Sequence, residues 1–199
     1  MKLYLAYRDD PLGEAWRIQF GNQADVEIVN TDITKISCDA IVSPANSFGF
    51  MDGGLDLALS ERFGWELQAL LQEEIAALPE RELLVGRSIV VRTNDAQIPW
   101  LISAPTMRVP MSFNIATSVN AYLAMKAILI AGTSHPEIKS IAIPGLCTGV
   151  GRMPPKIASI QMFAAYDEIL LGKTNNFEDF GEAQKFHAEL NLDGLIWDF

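Results

Sequence analysis

Cysteine and histidine are almost missing from this chain: Cys38, Cys147, His135 and His187 are all it has. Two widely separated cysteines give no basis for a disulfide framework or for a zinc site of the usual cysteine spacing. No cluster of His, Cys, Asp and Glu at metal-binding spacing joins either histidine, so neither a metal nor a cofactor is expected. Basic residues are also few. Fifteen Lys and Arg stand against twenty-five Asp and Glu, a formal charge of −10 that argues against binding along a nucleic-acid backbone. Long apolar runs are lacking as well. The longest, AYLAMKAILIA, is too short to span a bilayer and carries Lys126, and the amino terminus turns charged within eight residues, so neither an anchor nor a signal peptide is expected. A reducing, cytoplasmic compartment fits these absences best. Repeats and low-complexity segments are missing too, so all 199 residues read as one domain.

What is present is an alternation of two periodicities. Short β-rich runs recur as KLYLAY, DVEIVN at 25–30, DAIVSP at 39–44, GRSIVVR at 86–92, WLISAP at 100–105 and KSIAIPG at 139–145. Helical patterns separate several of them. GLDLALSERFG and WELQALLQEEIAALP form one helical region broken at Gly64 and stopped at Pro79. A second helix is expected from near Ser112, with Ile115, Val119, Tyr122 and Leu129 on one face, to Gly132. A third opens at Pro154 and Pro155, turns Ile157, Ile160, Phe163 and Tyr166 inward, and stops at Gly172. AIVS and SIAIP are apolar on both faces, as central strands covered by helices on each side should be. The expected fold is a three-layer α/β/α sandwich around a mixed, mostly parallel sheet. After a polar connector at 173–181, EAQKFHAEL reads as a last helix. Leu195, Ile196, Trp197 and Phe199 then make a tail too apolar for a free end, which docks on the domain itself or on a second copy as a homodimer contact.

Ligands of open α/β sheets bind beyond the carboxyl ends of strands, and two loops there are rich in glycine. ANSFGFMDGGLD, 45–56, carries Gly49, Gly53 and Gly54, while GLCTGVGRMPP, 145–155, carries Gly149 and Gly151 ahead of a helix. Glycine lets the backbone approach a ligand, and the first helical turn leaves unpaired N–H groups, so together they suit an anion. The same glycines also serve simply to shape tight turns. Four charge-assisted bonds of about 1.5–3 kcal/mol each are comparable with the roughly 8 kcal/mol of micromolar binding. Neither loop is a Walker A motif or a G-x-G-x-x-G after the first strand, which disfavours a P-loop hydrolase and a standard dinucleotide dehydrogenase.

VNTDITKISCDAIVSPANSFGFMDGGLDLAL, 29–59, resembles the opening block of the macro domain family, the ADP-ribose-binding and ADP-ribose-1″-phosphate-processing type. PGLCTGVGRMP, 144–154, resembles that family's second ligand loop, and the likeness is strongest over 25–170. WLISAPTMRVP and the helix containing NAYLAMKAI also resemble a bacterial and phage-associated branch. The resemblance implies a cleft for ADP-ribose or an ADP-ribosylated substrate. It matches Asp32, with Ile33 beside it, to the carboxylate that accepts from the adenine amino group, and Asn46 to the asparagine at the distal ribose. Gly53 and Gly54 match the first phosphate loop, and Thr148, Gly149, Val150 and Gly151 the second. Asp56 matches the acid that handles a proton during attack of water at the anomeric carbon of an ADP-ribosyl ester.

Each residue also has a plainer reading. Asp32 suits a cap or turn in TDIT, Asp56 suits the first turn of a helix against its dipole, Asp52 suits that helix's N-cap, and Arg152 suits solvent. Cys147 reads as a small buried packing residue, and His135 as an exposed turn residue. Three departures stand out. Thr31 replaces the usual glycine, Ser43 the first asparagine of an N-A-A-N run, and Gly151 with Arg152 a common aromatic. Phe48 or Phe50 is then either a substitute stacking ring or part of the core. Three functions remain open: ADP-ribosyl hydrolase, ADP-ribose reader without turnover, and a phage-derived assembly part that keeps the fold.

Overall fold

The computed structural model describes residues 1–111 and 115–191. The expected start of the second helix at Ser112 and the apolar tail, Leu195, Ile196, Trp197 and Phe199, lie outside the described residues. Among the described residues six strands form one sheet: β1 Lys2–Tyr7, β2 Val26–Asn30, β3 Ala40–Ser43, β4 Ile89–Arg92, β5 Trp100–Ser103 and β6 Ser140–Ile143. Their spatial order is β2-β1-β6-β3-β5-β4. All neighbours pair parallel except β4 and β5, so the sheet is mixed and mostly parallel as expected.

Strand alternation sorts the core into two layers. Ala40, Val42, Ile102, Ile141 and Ile143 point into one cluster, where Trp16, Phe20, Met125, Ile128, Met162 and Tyr166 cover them. Ile41, Leu101 and Ala142, one step out of phase, point into the other beneath Leu59, Leu67, Leu71 and Ile75. Period-two strands buried on both faces therefore make the three-layer sandwich. The first cluster is roofed by α1 Asp10–Phe20, α4 Asn120–Ser134 and α5 Pro155–Ile169, and the second by α2 Gly54–Phe63 and α3 Glu66–Ala76. α6, Phe180–Leu190, follows the polar connector and packs on α5.

Two departures from the sequence reading matter. α1 was not anticipated, although Pro11 stands in its first turn and Leu12, Ala15, Trp16 and Phe20 are buried along one side. The helix expected from near Ser112 begins at Asn120 instead. Ile115 N–H is taken by Gly151 O at 3.3 Å, and Ser118 Oγ accepts from Asn120 N at 3.3 Å. Those residues thus form a turn that braces the second glycine loop, and their apolar spacing serves packing rather than a helical face.

Candidate functional site

β3 and β6 are adjacent, with Ala40 opposite Ile141 and Ile41 opposite Ala142. Both run the same way, so the loops that leave them emerge side by side at one end of the sheet. Between them lies a cleft of about 420 Å³. Asn46, Phe50 and residues 52–56 line one wall, Pro144, Gly145 and residues 147–151 the other, and Thr106, Met107 and Pro110 a third. Eight of the expected site residues converge here: Asn46, Gly53, Gly54, Asp56, Thr148, Gly149, Val150 and Gly151.

The loops are shaped to leave donors open. Gly53 is extended and stands as the N-cap of α2 without any capping side chain, so Asp52 is not the expected cap. A capping carboxylate would have satisfied one of the first-turn N–H groups. Gly54 has φ +57°, and a Cβ added at Gly53, Gly54 or Gly149 meets nothing within 4 Å. These glycines border open space. Among the described residues, no protein acceptor takes the N–H of Thr148, Gly149, Val150 or Gly151. The loop holds its curve through other groups: Met153 N–H donates to Cys147 O and Arg152 N–H to Gly149 O, each at 3.0 Å. Cys147 and Arg152 take left-handed φ values of 64° and 52°, rare for side-chain-bearing residues and in keeping with a tightly determined site.

Two polar side chains stand out on the first wall. Asp56, in the first turn of α2, accepts a 2.6 Å hydrogen bond from Ser43 Oγ. Burial pushes its carboxyl up to about 6 in spite of that donor. Such a group changes charge near neutral pH, which suits proton transfer. The Asn46 amide folds back on its own loop: Oδ1 accepts from Phe48 N at 3.0 Å and Phe50 N at 3.3 Å, and Nδ2 donates to Phe50 O at 2.8 Å. Asn46 therefore shapes the wall on which Phe50, half exposed, stands.

Asp32 and Ile33 are outside the lining of this cleft. Ile33 is buried in the layer of α2 and α3. Asp32 caps a short 3-10 turn, accepting from Thr34 N at 3.1 Å and Thr34 Oγ1 at 2.8 Å, with Arg8 at 3.2 Å on its other oxygen. The Thr34 hydroxyl holds this carboxyl below its ordinary range. Cys147 is buried and its thiol is pushed up to about 12, as a packing residue should be. Arg152 is exposed, Phe48 lies half-buried under the Arg108 guanidinium, and His187 is exposed on α6. His135 lies in a turn as expected but is half-buried rather than exposed, its ring packed against Trp100 with centroids 4.3 Å apart. Among the described residues no group of His, Cys, Asp and Glu is placed to hold a metal, and no helix is long and apolar enough to cross a membrane.

The third wall escaped the sequence reading. Residues 104–108 continue alongside 43–47 beyond the ends of β5 and β3: Ala104 N donates to Ser43 O, Thr106 N to Ala45 O and Ser47 N to Arg108 O. Asn120 Nδ2 then ties Thr106 O to the start of α4 at 2.8 Å. Prolines at 44, 105 and 110 hid this pairing as a strand signal.

With this geometry in view, the comparisons with known proteins are concordant. A macro domain sequence model matches residues 42–162, and the chain belongs to the macro domain family. An uncharacterised protein of Aquifex aeolicus is 31% identical over 138 residues, 69% of this chain and 78% of the relative. Another from Aeropyrum pernix is 34% identical over 143 residues, 71% and 70% of the two chains. The Oceanobacillus iheyensis macrodomain solved with ADP shares the fold at a TM-score of 0.61 and 24% identity, over 72% of this chain and 75% of that one. The macrodomain of Mycobacterium tuberculosis DarG does so at 0.59 and 20%, over 70% and 88%.

Proposed function

We propose that the cleft binds ADP-ribose or a related ADP-ribosyl compound, with the diphosphate clasped by main-chain amides of both glycine loops. The carrying observation is that two loops from adjacent central strands line one cavity of about 420 Å³, and that among the described residues the N–H groups of 148–151 have no protein acceptor. That size lies within the range of pockets that bury a small molecule. Main-chain donors hold an anion without any basic side chain, which reconciles the ligand with the acidic surface. The same fold was solved with ADP in the Oceanobacillus iheyensis macrodomain, which supports the reading.

In this reading Gly53, Gly54 and residues 148–151 meet the diphosphate, Asp56 faces the distal ribose, and Asn46 shapes the wall beside that sugar. Asp32 reads the adenine amino group, exchanging Arg8, a partner that is 75% exposed and weakly held. Turnover is a second reading favoured by Asp56 alone. Its carboxylate takes a proton from water as the oxygen attacks the anomeric carbon, the bond to the ester oxygen breaks, and the proton passes to the departing carboxylate. Products are ADP-ribose and a free carboxylic acid.

Calorimetry with ADP-ribose, AMP and NAD, followed by a time course on an ADP-ribosylated protein, tests both. Saturable binding of ADP-ribose that is lost in Gly149→Glu supports the site. Release of ADP-ribose by wild type and not by Asp56→Ala supports hydrolysis. Binding without release leaves a reader, and absence of ADP-ribose binding overturns the proposal.

A further inference from the structure

β3 and β5 are fully buried strands, AIVS and WLIS, and each ends in a serine. Ser43 and Ser103 are Cα partners across the parallel ladder and neither has exposed surface. A buried hydroxyl is costly unless it is hydrogen-bonded. The two serines differ in this respect. Ser43 Oγ donates to Asp56 Oδ1 at 2.6 Å, a length typical of a hydroxyl bound to an ionised carboxylate. Ser103 Oγ has no partner among the described residues. Asp56 itself lines the cleft, and its Oδ2 has no protein partner there. One oxygen is thus held from the sheet, and the other has no protein partner among the described residues.

We propose that Ser43 is a positioning residue for Asp56, its hydroxyl anchoring Oδ1 on the end of β3 so that Oδ2 is presented to the bound ligand. The proposal rests on the reading of the cleft as an ADP-ribosyl site in which Asp56 handles the proton. Ser43 stands where the family pattern carries an asparagine, and a hydroxyl there does something an apolar residue cannot: it favours the ionised carboxylate and restricts its rotation. The strand backbone fixes the place of this side chain, because Ser43 pairs with Ser103 of β5 and its carbonyl accepts from Ala104 N. The donor's backbone is therefore fixed relative to the end of the sheet, within reach of the carboxylate.

The test follows the Asp56 carboxyl carbon by NMR in protein labelled at aspartate, across pH 4 to 9, with no ligand added. Ser43→Ala is expected to raise the midpoint from the wild-type position of about 6 by about one unit, the loss of a charge-assisted donor. Ser43→Thr, which keeps the hydroxyl, restores the wild-type curve. Ser43→Cys, close in size and a weaker donor, falls between and covers the case in which the alanine variant folds poorly. Ser103→Ala, which removes an equivalent but unbonded hydroxyl, leaves the curve in place. If turnover is present, the acid limb of kcat/KM moves with the NMR midpoint. A Ser43→Ala curve that overlays wild type, or an equal shift from Ser103→Ala, overturns the assignment. Calorimetry with ADP-ribose on the same samples separates the two ideas: wild type that fails to bind removes the nucleotide reading, while the titration alone decides whether Ser43 governs Asp56.

Discussion

Ile115 and Gly151 are fitted to each other. The Ile115 N–H donates to Gly151 O at 3.3 Å, and a Cβ placed on residue 151 would come within 2.9 Å of the Ile115 side chain and 2.6 Å of Cys147 O. The departure from an aromatic at this position thus has a packing cause. Isoleucine from the segment before α4 fills the space behind the loop, and the loop curls tightly enough that residue 151 has no room for a side chain.

This pair separates two kinds of glycine. Gly151→Ala is expected to lower stability by about 1–3 kcal/mol, because the carbonyl it meets belongs to the backbone and cannot rotate away. A Cβ at Gly149 meets nothing within 4 Å, so Gly149→Glu should unfold near the wild-type urea midpoint, yet lose ADP-ribose binding by placing a bulky anion at the cradle. Urea denaturation and calorimetry on the two variants give opposite patterns. An unchanged midpoint for Gly151→Ala, or retained binding in Gly149→Glu, contradicts the arrangement described here.

Asn46 makes three hydrogen bonds within its loop while 8% exposed. Asn46→Ala leaves two part-buried N–H groups and one carbonyl without their partner, for an expected loss of about 1–3 kcal/mol. ADP-ribose affinity falls with it, because the wall carrying Phe50 loses its shape. Asn46→Asp retains the acceptor but sets an oxygen against Phe50 O, so its stability should fall as pH rises and the carboxylate ionises. A pH-independent unfolding midpoint for that variant, measured relative to wild type, would count against the clamp.

Asp56 makes stability depend on pH in a defined direction. Its ordinary value is 3.8 and its folded value about 6, so below 3.8 both states are protonated and the group costs nothing. As pH rises from 3.8 to about 6 the unfolded state ionises first, and stability drains by up to about 3 kcal/mol. Asp56→Asn removes this loss. The difference in unfolding free energy between the variant and wild type should grow in the variant's favour across that window and level off above it. A flat difference between pH 4 and 8 is the contrary result.

Asp32 supports a local turn and carries the proposed adenine contact. Asp32→Ala should cost about 1 kcal/mol from the lost cap. It should also weaken ADP-ribose more than ribose 5-phosphate, which lacks the base. Arg8→Ala frees the carboxylate without touching the cap and should leave ADP-ribose affinity equal or stronger. Equal weakening of both ligands by Asp32→Ala removes the base-reading role.

How much of this was legible beforehand follows from which signals are local. Gly53, Gly54 and residues 148–151 could be marked as one site because each group lies between a strand pattern and a helix start, and central parallel strands send such loops to the same end. The third wall was not legible. Thr106, Met107 and Pro110 belong to a proline-marked stretch whose pairing with 44–47 depends on β3 and β5 lying side by side. α1 was missed for a different reason: Asp9, Asp10 and Gly13 mask a short amphipathic face whose burial of Trp16 and Phe20 makes it a helix.

Sequence alone determined the layered α/β architecture, since short runs apolar on both faces, such as AIVS and SIAI, and the helical spacing around them leave few other ways to bury that surface. It also determined where glycine frees the main chain. Tertiary structure decided what the polar side chains do. Whether Asn46 turns toward a sugar or back to Phe50, whether Asp56 is held by Ser43, and whether Asp32 opens to the cleft or pairs with Arg8 are all questions of distance between segments far apart in the chain. Hydrogen bonds act over about 3 Å, and only the packed sheet brings those partners that close.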